Sequence, residues 1–153
     1  MPPSAFDDDR SAWGIVRVEL YDLRHDRART AIYADSARLA LEEQSRANPE
    51  DAQRHAILGL ALAYLGRKAD AEREGRRAVE MLPISRDAYY GAYLQLQLVR
   101  TYILVGEPDQ ALDQLEPLLR IPFYLSPGWL RIDPTFDPLR SNPRFRKLVE
   151  GTA

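Results

Sequence analysis

The sequence predicts an all-α domain of about three helical hairpins, closed at its C-terminal end by a proline-punctuated segment of short helices. Three observations carry this expectation. Apolar residues recur at three- and four-residue steps, which aligns side chains on one face of a helix. Pro49 and Pro83, the two prolines between Pro3 and Pro108, stand 34 residues apart, the length of a helix-turn-helix repeat unit. Seven of the eleven prolines then fall between Pro108 and Pro143, so the last third of the chain is built differently.

Taken in order, Trp13, Val16, Leu20 and Leu23 lie on one face of a helix starting near Ser11, and His25, Asp26 and Arg27 break it. A second helix over 30–47 has Tyr33, Ala37, Ala40, Leu41 and Gln44 on one side and Arg38, Glu42 and Arg46 toward solvent. Pro49 lacks an amide and Asp51 can cap free amides, so one helix stops and the next begins there. The following pair spans 51–65 and 68–82, with Gly66 where a left-handed C-terminal residue is wanted. Its small residues, Gly59, Ala61, Ala63, Ala71 and Ala78, allow two antiparallel helices to approach closely.

Leu58-Gly59, Leu62, Gly66, Ala71, Ala78 and Pro83 fall, across 52–85, in an order that resembles the tetratricopeptide repeat. His55 stands in the slot usually held by an aromatic, and Gly75 where a large residue usually faces the next repeat. Leu98, Tyr102, Gly106 and Ala111 repeat the order, with Gly106 40 residues after Gly66, which implies a longer connection or an extended helix around 85–91. Pro117 is expected to bend the last long helix, and the closing proline is displaced to Pro122. The resemblance implies a right-handed superhelix with repeats at 11–49, 50–85 and 86–123, preceded by a disordered tail over 1–10.

Over 124–153, Ser126-Pro127, Asp133-Pro134, Asp137-Pro138 and Asn142-Pro143 each join a capping residue to a proline that preorganises a first helical turn. Short helices are expected at 127–131, 134–140 and 143–150, with Trp129, Leu130, Phe136, Leu139, Phe145 and Leu148 covering the array's end. This segment resembles the C-terminal end of tetratricopeptide regions in bacterial sensor and kinase-associated proteins.

Composition narrows the function classes. A chain of 153 residues with 23 acidic and 21 basic side chains is one ordinary domain, and its near-balanced charge argues against broad capture of nucleic acid. Without cysteine there is no disulfide, thiolate metal site or cysteine nucleophile. The longest nearly apolar run, 56–66, falls short of the roughly 20 residues that cross a bilayer. No secretory signal opens the chain, so a cytoplasmic location is expected.

No catalytic constellation, metal set or cofactor motif stands out. His25 and His55 lack zinc-site spacing, and the scattered glycines form no phosphate loop. Asp133 and Asp137 precede prolines, so capping accounts for them; Asp7-Asp8-Asp9 reads as a solvated terminus. The basic cluster around Arg67, Lys68, Arg73, Arg76 and Arg77 is interleaved with glutamates, whereas Arg140, Arg144, Arg146 and Lys147 are less neutralised.

The resemblance implies binding along a concave side lined by first helices. Carried onto this sequence, that lining is Gln53, Ala56, Leu60 and Tyr64, then Tyr93, Leu96, Arg100 and Leu104, a mostly apolar groove suited to a peptide or helix. The lysine and asparagine with which chaperone-binding relatives hold a carboxylate are replaced by Ala56, Leu60 and Leu96. The expected function is a non-catalytic protein-protein interaction scaffold with no cofactor. Homo-oligomerisation through exposed ends and a regulatory role within a larger kinase or transcription regulator are the alternatives.

Overall fold

The computed structural model describes residues 2–6 and 9–150. Helices account for 76% of the residues, with no strand among the described residues. The helices are α1 (Arg10–Leu23), α2 (Arg27–Ala47), α3 (Ala52–Tyr64), α4 (Lys68–Met81), α5 (Tyr90–Leu104), α6 (Pro108–Leu118), α7 (Pro127–Ile132) and α8 (Pro143–Glu150). Two 3-10 helices, Pro3–Phe6 and Pro134–Leu139, complete the set. Successive helices pair as α1 with α2, α3 with α4 and α5 with α6; α2 also packs on α3, and α5 packs on both α3 and α4.

Left-handed residues end the first helix of each pair. Gly66 and Gly106 have φ of +73° and +76°, as their positions predict. The first hairpin uses His25 instead, at φ 56°. Asp26 then accepts a hydrogen bond from the Arg29 amide at 3.0 Å, so α2 begins at Arg27, earlier than the expected residue 30.

Within 1–10, where a disordered tail is expected, the described residues include regular structure. Residues 3–6 form a 3-10 turn, and Asp9 caps α1 by accepting from the Ser11 and Ala12 amides. Gln44 of α2 also donates to Asp9, at 3.3 Å, tying the cap to the hairpin. Partial burial pushes the Asp9 carboxyl up, but these hydrogen bonds outweigh it and hold the group below its usual value. Asp7 and Asp8 lie outside the described residues.

The apolar face assigned to α1 is also corrected. Ser11, Gly14 and Val18 form its buried stripe, whereas Val16, Leu20 and Leu23 are exposed. Gly14 explains the rotation, because a Cβ there would meet the Ala37 Cβ at 2.9 Å. Close backbone approach selects the small residue for the seam and turns the large ones outward. Trp13 and Tyr21 instead contact the Tyr33 ring at centroid distances of 5.2 and 5.3 Å, flanking the seam.

Small residues make the α3/α4 contact as well. A Cβ on Gly59 would stand 3.1 Å from the Ala71 carbonyl oxygen and the Gly75 amide nitrogen, and one on Gly75 would meet Leu98 at 2.9 Å. Gly75 therefore lets Leu98 of α5 fill the space that a large residue would occupy. Above this seam His55, 4% exposed, contacts Glu74 Oε2 at 2.7 Å through Nδ1 and the Pro49 carbonyl at 3.0 Å through Nε2. Both partners are acceptors, so the ring is the hydrogen-bonding pin of this hairpin. Replacing it by leucine keeps bulk but removes both contacts and leaves the part-buried Glu74 carboxylate only its 3.3 Å pairing with Arg73; His55→Leu is expected to lose about 1–3 kcal/mol in urea unfolding, and an unchanged midpoint would dismiss the pin.

The added length before the third pair resides in the connection after Pro83, since α5 starts only at Tyr90. Pro117 falls in the last turn of α6, which ends at Leu118 and needs no mid-helix bend. In the C-terminal segment Ser126, Asp133 and Asn142 cap as expected, accepting from the amides of Trp129, Thr135 and Arg144. Asp137 does not: it lies inside the 3-10 helix and pairs with Arg140 at 2.6 Å. Phe136 and Phe145, each 1% exposed, join Leu96, Val99, Leu112 and Leu115 in one core, so this segment is integral to the third hairpin.

Candidate binding cavity

Four of the eight expected lining residues, Tyr64, Leu96, Arg100 and Leu104, border one cavity of about 730 Å³. Glu19, Asp22 and Leu23 at the end of α1 form another side, and Tyr124, Leu125, Asp133, Thr135 and Phe136 supply the C-terminal wall. Residues that the sequence separates by more than a hundred positions thus meet because α1, α3 and α5 end near the same place. Gln53 and Tyr93 border a second cavity of about 450 Å³, with Arg86 and Tyr90. Ala56 and Leu60 are corrected as lining residues, since each is 1% exposed. Ala56 packs with Ala78 and Leu94, because α5 lies on the face of α3 expected to be open. Leu96, at 5% exposure, is a core residue that only edges the cavity.

Arg100 is the polar centre. Its Nη2 donates to Glu19 Oε1 at 2.6 Å and its Nη1 to Gln97 Oε1 at 3.1 Å. Burial disfavours the guanidinium charge, but Glu19 more than compensates and the group stays firmly protonated. Burial likewise pushes the Tyr64 phenol up to about 12, with Arg100 opposing and Asp22 and Glu19 adding to the rise. Tyr93 and Tyr124 are raised by burial too, Tyr124 with help from Asp133. At neutral pH the three phenols are protonated and available as hydrogen-bond donors.

Asp133 caps the 3-10 helix through Oδ1 and accepts the Trp129 indole NH through Oδ2 at 2.9 Å. Trp129 itself is 41% exposed and lies outside the cavity lining. The C-terminal segment therefore both covers the end of the third hairpin and walls the cavity through Phe136. Sequence reasoning missed Glu19, Asp22 and Tyr124 as cavity residues; an arginine in an apolar helix with no acidic residue three or four positions away was the one clue to Glu19.

The basic clusters are largely neutralised. Arg67 and Arg73 pair with Asp70, Arg76 with Glu72, and Lys68 with Glu107. Arg144, in the cluster that the sequence leaves less neutralised, pairs with Asp113 and Glu116 of α6 at 2.8 and 2.5 Å. Against known proteins, the chain matches no family model, no curated protein and no solved structure. Among the described residues no helix is long and apolar enough to cross a membrane.

Proposed function

We propose that this chain is a tetratricopeptide-like, right-handed superhelical scaffold that binds a segment of a partner protein without catalysing a reaction. The cavity carries the reading: it joins apolar walls from Leu104, Leu125 and Phe136 to hydrogen-bonding groups from Tyr64 and Arg100 on separate helices. Concave, mostly apolar sites with a few placed polar groups are the usual form of a binding site. The repeat reading is supported by the like-placed left-handed glycines, Gly66 and Gly106, and by the close approach of Gly59 to Ala71.

Panning a random peptide library on the immobilised protein is expected to yield a consensus. Tyr64→Ala combined with Leu104→Ala should weaken binding of that consensus about tenfold or more in calorimetric titration, with helicity unchanged. Equal affinity for the double variant would reject the cavity. A second reading, self-association, draws on Val16, Leu20, Leu23, Ile32 and Leu39, which leave the first hairpin with exposed large aliphatic side chains. Sedimentation velocity over a wide concentration range is the check on it, and a constant monomer value removes it.

A further inference from the structure

The cavity's charges are not balanced. Glu19 and Arg100 cancel each other at 2.6 Å, leaving Asp22 and Asp133 against Arg27 among the charged lining residues. Neither aspartate enters an ion pair among the described residues, although Asp133 accepts two hydrogen bonds from its own segment. The same carboxylates act on the cavity's phenols: after burial, Arg100 opposes and Asp22 adds to the upward push on Tyr64, while Asp133 adds to that on Tyr124 more than Arg100 opposes it. Two carboxylates without an ion pair thus stand against one arginine in a space whose other walls are largely aromatic and aliphatic, the faces that favour a cation and its methylene stem.

Resting on the scaffold reading above, we infer that the cavity takes an amphipathic segment of a partner protein, its apolar side chains against Leu104 and Phe136 and its lysine or arginine at Asp22 and Asp133. An acidic segment meets a net negative lining there, since Glu19 already occupies the Arg100 guanidinium and Arg27 alone stands against two carboxylates. The geometry thus sets both the composition of the partner and its salt sensitivity, as exposed carboxylates at a cavity rim are screened by added ions.

The test is an anisotropy titration of the intact protein with two labelled amphipathic peptides of identical apolar pattern, one leucine/lysine and one leucine/glutamate. The lysine peptide is expected to bind about tenfold tighter or better. Asp22→Asn with Asp133→Asn, which preserves the cap, should reduce its affinity about tenfold. Glu43→Gln with Glu80→Gln, an equal charge change at exposed positions outside the cavity, should leave it within about twofold. Equal or tighter binding of the glutamate peptide, or an equal loss in the Glu43/Glu80 variant, overturns the inference. If the favoured peptide is still lost on Tyr64→Ala with Leu104→Ala, the scaffold reading survives that failure; if neither peptide responds to that pair, both readings fall.

Discussion

Phe136→Ala is expected to remove about 3–5 kcal/mol of stability in equilibrium urea unfolding. The ring is 1% exposed, stacks on Phe145 at a centroid distance of 5.9 Å, and shares a core with residues of α5 and α6. Against a total of roughly 5–15 kcal/mol for an ordinary domain, such a loss brings the chain near its unfolding threshold. Trp129→Ala provides the contrast: that side chain is 41% exposed, and its removal should cost far less. A penalty for Phe136→Ala below about 1 kcal/mol would mean that the C-terminal segment is a detachable flap and not part of the core.

Ala71→Leu is the second large effect. Ala71 is fully buried, and its carbonyl lies against Gly59, where even a methyl group would be tight at 3.1 Å. Ala71 packs in a core with Leu58, Ala61 and Leu62, so three added carbons are expected to force α3 and α4 apart, at a cost of about 3 kcal/mol. For a domain of this size that lowers the melting temperature by roughly 6–12 °C, read by far-ultraviolet circular dichroism. A neutral melt would show that the seam between these helices runs elsewhere.

Turn and cap chemistry was legible before the fold was seen. Gly66 and Gly106 occupy left-handed turns, and Ser126, Asp133 and Asn142 cap the helical turns that follow them. Each is settled by groups within a few residues, because a cap is a bond between a side chain and the amides just beyond it. Asp137-Pro138 carried the same signal and failed, because Arg140 claims the Asp137 carboxylate inside a continuous 3-10 helix.

The direction of the helix faces was less legible. Counting large apolar residues put Val16, Leu20 and Leu23 inside, yet the seam of α1 is Gly14 against Ala37. Taking small residues as the criterion instead identified the Gly59 seam. Ala56 and Leu60 were misassigned for the opposite reason: a face that one hairpin leaves open is closed by the next.

The sequence alone determined where the chain turns, which segments are helical and how Ser126, Asp133 and Asn142 cap the C-terminal ones, since those choices are made by neighbours along the chain. Only the tertiary structure decided that Arg100 meets Glu19, 81 positions away, and that Asp22, Tyr64 and Phe136 wall one cavity. The physical reason is that burial and charge pairing depend on which distant surfaces come to lie together, and that depends on how closely glycine and alanine let each pair of helices pack.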